Sequence, residues 1–254
     1  MDLLVERVTK SFGGLRAVGD VSFTVRAGAI FGLIGPNGAG KTTLFNLLTG
    51  VYRCDGGAIH FGPHDLAHLP PAAIAAAGVA RTFQNVRLFA QLTVLENLLV
   101  AGEVHKTAGL ASALLRTPAH FADERARRDR ARELLDAFGL AAREGAPAAS
   151  LPYGDQRRLE IARALMARPR ALLLDEPAAG MNTRESAELT ERIRWLRDRF
   201  QVSVLLVEHN MRVVMEVCER IHVLDHGETI AEGTPSEIQR DPRVLAAYLG
   251  EEAS

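Results

Sequence analysis

The chain has 254 residues, long enough to bury a core without disulfides or metals, and its 47% hydrophobic and 24% charged composition is that of an ordinary globular protein. Thirty Lys and Arg against 31 Asp and Glu leave a net charge of −1, which argues against a long-range electrostatic hold on nucleic acid or anionic lipid and leaves only a local patch open. The two cysteines, Cys54 and Cys218, stand far apart, which excludes a disulfide framework and a cysteine zinc site and fits a reducing compartment. No run approaches the roughly 18 apolar residues of a membrane-spanning helix. The N-terminus, Met1 to Arg7, carries acids before its apolar residues, unlike a secretory signal, so a soluble chain that stays inside the cell is expected.

In chain order, Val21, Phe23 and Val25 alternate with polar residues as in a half-buried strand, and Gly13-Gly14 and Gly19-Asp20 mark turns. The apolar run Ala29–Ile34 then meets a Gly-rich loop and a helical segment ending near Gly50. His60, His64 and His68 have helical spacing, but Pro63 and Pro70 spoil a helix there, and no metal ligand is assigned to them. From about Thr93 to Gly145 Ala, Leu, Arg and Glu dominate, and Leu134, Leu135, Phe138 and Leu140 form an apolar stripe, which predicts an inserted helical subdomain. Its Arg-rich run, Arg125–Arg132, is balanced by Glu124 and Asp129 and reads as a solvated helix face in preference to a binding patch. Strand-like runs recur at Ala171–Leu174, Val202–Val207 and Ile221–Leu224 with helices between them, the pattern of an α/β fold with a largely parallel sheet.

Gly35-Pro36-Asn37-Gly38-Ala39-Gly40-Lys41-Thr42 fits G-x-x-x-x-G-K-[ST] at every fixed position, with a buried strand before it and a helix after it. Glycines let backbone N–H groups converge on phosphate oxygens at the positive end of the following helix. Lys41 then reaches the β- and γ-phosphates and Thr42 ligates Mg²⁺. An apolar strand, Ala171–Leu174, ends in Asp175 and Glu176. Asp175 is placed to hold magnesium and Glu176 to polarise the attacking water, in a chemistry that depends on positioning and charge neutralisation.

With these residues the sequence resembles the ATP-binding cassette (ABC) ATPases nearly end to end. Leu151-Pro152-Tyr153-Gly154-Asp155-Gln156-Arg157-Arg158 is similar to the family signature that precedes a helix, with Pro152 where the family usually has serine. The resemblance implies that Gln84 meets magnesium and the attacking water, that His209 contacts the γ-phosphate, and that Phe12 stacks on adenine, with core packing the alternative for Phe12. It also assigns nucleotide contacts to Thr43, Gly154 and Asp155, and a crossing loop to Pro177–Asn182. It implies a P-loop NTPase core, an N-terminal antiparallel β part and an inserted helical subdomain. The corresponding segments are 1–92 with 159–233 for the core, 93–158 for the helical part with the signature, and 234–254 for a C-terminal helical tail.

Within the family the resemblance is to LivG-type ATPases of branched-chain amino-acid importers, carried by Arg81–Phe89, the long segment His105–Ala122 and Ala246–Gly250. It implies ATP and Mg²⁺ as cofactors and ATP-driven pairing with a second cassette. It also implies two membrane-spanning permease subunits, an extracytoplasmic binding protein and a peripheral position on the cytoplasmic face of the inner membrane. Urea or amide uptake and lipopolysaccharide export are alternatives within the family. A soluble ABC ATPase acting on nucleic acid or the ribosome is disfavoured by the single phosphate loop and the near-neutral charge. Leu88 and Phe89, apolar within a loop-like segment, read either as a docking patch or as core.

Overall fold

The structure is a computed structural model that describes residues 1–84, 86–105 and 118–251. Asn85 and most of the segment His105–Ala122 therefore lie outside the described residues.

The strands are β1 (Leu3–Phe12), β2 (Leu15–Val25), β3 (Ile30–Ile34), β4 (Gly56–Phe61), β5 (His64–Asp65), β6 (Val79–Arg81), β7 (Ala171–Asp175), β8 (Ser203–Val207), β9 (Arg220–Asp225) and β10 (Glu228–Gly233). They form two sheets. An antiparallel sheet runs β2-β1-β4-β5, and a second runs β10-β9-β3-β8-β7-β6. In the second sheet β9, β3, β8, β7 and β6 are parallel, and β10 is an antiparallel edge. Every residue of β3, β7 and β8 is buried, which is why these strands read as unbroken apolar runs: parallel strands are covered on both faces. The result is an α/β fold with an N-terminal antiparallel sheet.

The chain divides into two compact units, Met1–Gln84 with Arg170–Ser254, and Asn85–Pro169. In the first unit both sheets contribute to one core. Phe23 of β2 stacks on Phe31 of β3 with centroids 5.4 Å apart, and Val5, Phe45, Phe61, Leu173 and Leu205 complete the packing. The second unit is helical, with helices Val94–Ala101, Pro118–Ala137 and Tyr153–Met166. Thr93 opens the first of these with a capping box: its hydroxyl accepts the Glu96 N–H at 3.1 Å, and the Glu96 carboxylate accepts the Thr93 N–H at 2.8 Å. The stripe of Leu134, Leu135, Phe138 and Leu140 is buried, as its spacing predicts. On the Arg-rich helix, Arg128 pairs with Glu124 at 3.3 Å, Arg130 with Glu133 at 3.4 Å and Arg132 with Glu144 at 3.1 Å, so carboxylates of the same unit take up that charge.

A histidine is fully buried inside the first unit. His222 of β9 places Nδ1 3.1 Å from Glu232 Oε2 on β10, and Nε2 3.0 Å from the Thr229 hydroxyl. A proton on Nδ1 satisfies both bonds, with the threonine O–H donating to Nε2. The bond from His222, aided by Arg220, holds the Glu232 carboxyl below the usual carboxylate range. Its stabilising effect is therefore fully present above the unfolded glutamate pKa and is lost as pH falls through the lower folded value. Glu232→Gln is expected to cost about 1 kcal/mol at neutral pH. Thermal unfolding followed against pH should show the gap to wild type closing below about pH 4.

Candidate functional site

The loop between β3 and helix Lys41–Leu48 is shaped by close backbone approach. A Cβ on Gly40, at φ 96°, would lie 2.4 Å from the Ala17 carbonyl oxygen, and one on Gly35 would lie 2.1 Å from that of Leu224. Only glycine fits either position. The loop curls around the root of the helix, and the buried Lys41 ammonium donates to the carbonyls of Gly35 at 2.6 Å and Pro36 at 2.7 Å. Asn37, Gly38, Ala39, Gly40, Lys41, Thr42 and Thr43 line a cavity of about 410 Å³ together with Phe12, Gln84, Glu176 and His209. Phe12 is 43% exposed, which removes core packing as its explanation, and its ring meets Tyr52 edge-on at 5.2 Å.

Two side chains converge on one carboxylate. Glu176 Oε2 accepts a hydrogen bond from Gln84 Nε2 at 2.6 Å, and Oε1 lies 2.9 Å from His209 Nε2. Each partner is brought there by sheet geometry. Gln84 follows β6, and the parallel pairing of β6 with β7 is prolonged by the Thr82 N–H bonding to Leu173 O at 2.9 Å. Glu176 follows β7, its N–H bonds Val207 O at 2.8 Å, and its backbone then turns through φ 45°, a region rare for non-glycine residues and associated with functional sites. His209 follows β8, just before Asn210, whose side chain caps helix Met211–Val217. Asp175 is buried and lies outside the cavity lining, with Oδ2 3.3 Å from the Arg81 guanidinium.

In the second unit, helix Tyr153–Met166 begins directly after Pro152. The Asp155 carboxylate pairs with Arg143 at 3.4 Å and with Arg158, and the Asp155 N–H bonds Pro152 O at 2.9 Å, so the residue's charge and its N–H are both committed within the helix start. Gly154 has open space where a side chain would stand. Pro152 is the residue just outside the helix, at φ −54° and ψ 151°.

Sequence reasoning missed two residues that organise this site. Arg81 threads between Phe45 and Phe83, with centroids at 4.9 and 4.6 Å, and bonds Asn46, Thr49 and Asp175. Glu208 is 2% exposed, and its carboxylate accepts the N–H groups of Ala178 at 2.6 Å, His209 at 2.8 Å and Asn210 at 2.9 Å. It thus ties the loop after Glu176 to the loop carrying His209. A charged residue between an apolar strand and a histidine was the available signal, and nothing in its spacing revealed the backbone partners.

A phosphate loop, a carboxylate held by an amide and an imidazole, and this pair of sheets define an ATP-hydrolysing nucleotide-binding domain. The chain belongs to the ABC transporter family: residues 18–179 match that family, and residues 228–254 match the C-terminal segment described as branched-chain amino acid ATP-binding cassette transporter. It is 49% identical over 249 residues to the high-affinity branched-chain amino acid transport ATP-binding protein LivG of Salmonella typhimurium, covering 98% of each chain. It is 47% identical, with the same coverage, to the corresponding protein BraF of Pseudomonas aeruginosa. A solved ATP-binding cassette of an ABC transporter in its ADP conformation superposes with a TM-score of 0.84 at 30% identity, covering 98% of this chain and 99% of that one. This chain is accordingly an ATP-binding cassette ATPase that binds nucleotide.

Replacing Glu208 with Ala leaves three backbone N–H groups without their acceptor, each worth about 1–3 kcal/mol if it stays buried and unsatisfied. We expect Glu208→Ala to lower kcat for ATP at least tenfold while the nucleotide Kd changes less than threefold, and to lower Tm. Steady-state kinetics, nucleotide titration and a thermal melt on one preparation check this. An unchanged kcat with a lowered Tm would make Glu208 purely structural.

Proposed function

We propose that this chain is the ATP-hydrolysing subunit of a bacterial importer of branched-chain or related amino acids, seated peripherally on the cytoplasmic face of the inner membrane. The observation that carries the transport substrate is the match of residues 228–254, added to end-to-end likeness with proteins named for that transport. Its partners in this reading are two membrane-spanning permease subunits, a second cassette chain, and through the permease a substrate-binding protein outside the membrane. Nucleic acid is not among them.

The chemistry follows from the first unit. The phosphate loop offers N–H groups and the Lys41 ammonium to the phosphates. Phe12, exposed on the cavity wall, offers its ring to the base. Glu176 is the base that takes a proton from the attacking water. Gln84 and His209 fix that carboxylate from two sides, so it needs little reorganisation at the moment of reaction. In this reading His209 also contacts the γ-phosphate. The Thr42 hydroxyl, the Gln84 amide oxygen and the Asp175 carboxylate are hard oxygen donors and suit Mg²⁺, which usually keeps several waters and binds through few protein ligands and the phosphates. Bound there, magnesium would neutralise phosphate charge. Gly154, at the start of its helix, offers a backbone N–H to a phosphate on the second cassette.

Glu176→Gln keeps the shape of the side chain and removes the base. We expect it to bind ATP as tightly as wild type, to lose turnover by about 10³-fold, and to hold two cassettes together in Mg-ATP on size exclusion with the cognate partner present. Leucine uptake by cells lacking this gene should be restored by the wild-type chain and not by Glu176→Gln. Normal turnover by the variant would remove Glu176 as the base, and undiminished uptake in the deleted cells would remove the transport substrate.

Pro152 departs from the usual family serine and has neither a hydroxyl nor an N–H to give a phosphate. A hydrogen bond to a charged group contributes roughly 1.5–3 kcal/mol. Pro152→Ser should therefore tighten ATP-dependent pairing with the second cassette by about tenfold or more. Titration of pairing against ATP checks this. Unchanged or weaker pairing would mean that the segment is built around proline, whose carbonyl accepts the N–H groups of Asp155 and Gln156 at 2.9 and 3.0 Å.

A further inference from the structure

The nucleotide cavity has a cationic rim that no motif of the family reading includes. His226 lies in the turn between β9 and β10, at φ 45°, with its side chain 93% exposed, and it lines the cavity. The turn is pinned to the phosphate loop: the Gly227 N–H bonds Ala39 O at 3.0 Å. It is pinned also to β2, where the Gly19 N–H bonds Gly227 O at 2.7 Å. A Cβ on Gly227 would lie 2.7 Å from the Ala17 carbonyl oxygen, so the turn cannot draw back from this contact without opening space at the loop's root. A left-handed non-glycine residue, costing of order 1–3 kcal/mol and held by its surroundings, points to a function at that position.

Arg16 lines the same cavity from β2 and is exposed. Its guanidinium lies over Gly19, where a Cβ would stand 2.9 Å from Nε. The missing side chain at Gly19 therefore gives Arg16 its place. Arg16 forms no ion pair among the described residues, and the carboxylate nearest His226, Asp225, is 3.7 Å away. Two cationic or protonatable groups thus flank a cavity built for a polyanion, without protein carboxylates drawn tightly to them.

We infer that Arg16 and His226 contact the α-phosphate of the bound nucleotide. Arg16 falls between Leu15 and Ala17, both in the cavity wall, on the strand that follows Phe12. Lys41 and Thr42 are committed by the phosphate-loop motif to the far phosphates, and the motif assigns no cationic side chain to the near one. The inference rests on the assignment of this cavity to nucleotide.

The test is direct binding of a fluorescent ATP, with ADP, AMP and adenosine as competitors, to wild type, Arg16→Ala, His226→Asn, the double variant and Lys41→Ala. Asparagine tolerates positive φ, so His226→Asn keeps the turn. We expect Kd to rise about threefold for each single variant and about tenfold for the double, the scale of partly exposed charge contacts. The rise should be equal for ATP, ADP and AMP and absent for adenosine, with Tm unchanged. Arg16→Lys should recover part of the loss. Wild-type affinities in the double variant would overturn the inference, as would an equal loss for adenosine, which would mark a shape change of the base pocket. A Lys41→Ala variant that binds like wild type would instead overturn the assignment of the cavity itself.

Discussion

The site depends on how closely backbone approaches backbone at the phosphate loop. Gly40 and Gly227 both rest against the Ala17 carbonyl, at distances no side chain permits, and the Gly227 N–H closes on Ala39 O. This contact joins three elements of different origin: β2 of the antiparallel sheet, the loop after β3, and the β9–β10 turn. Substituting either glycine would push the loop away from the strand and rotate the N–H groups that must converge on phosphate. The burial of Phe23 on Phe31 supports the same junction from beneath, so the packing of the core and the shape of the loop are one constraint.

From that junction the Glu176 carboxylate, the base of the proposed reaction, is reached through parallel strands. β3, β8 and β7 are neighbours, and each ends near the site, as ligand sites in parallel sheets form at the carboxyl ends of the strands. Glu176 gains its direction from a backbone turned to φ 45°, a conformation that needs support. Its N–H bond to Val207 O supplies some of it. Glu208 supplies more, since one buried carboxylate collects N–H groups from the loops on both sides. A buried charge is tolerated there because it is fully hydrogen-bonded to backbone donors.

The sequence made the alternation of buried strands and helices legible, along with the phosphate loop and the acids at the end of β7, because each rests on a local pattern. β3, β7 and β8 are continuous apolar runs for the same reason that they are central strands. The apolar stripe from Leu134 to Leu140 was legible by helical spacing and is buried. What escaped was set by tertiary contact. Arg81 looks like a surface cation at the end of a short strand, yet its guanidinium lies between two phenyl rings and beside Asp175. Glu208 looks like a second acid next to a histidine, and its three acceptor bonds run to backbone that no spacing announces. The arginines that pair with Asp155, Arg143 and Arg158, were likewise not announced by any spacing.

Gln84 shows how one side chain can link the parts of the proposed reaction. Its amide has a donor end and an acceptor end, and the donor end is bonded to Glu176. An amide bonded in that way cannot swing toward a phosphate or a metal without altering what Glu176 feels. A charge-assisted bond at 2.6 Å is short for nitrogen to oxygen, and such bonds contribute about 1.5–3 kcal/mol before discount for exposure. Gains of that size are comparable to thermal population shifts between two discrete loop arrangements. Glu176 and Gln84 are therefore held to one another within the first unit, and displacing either changes the hydrogen bonding of the other.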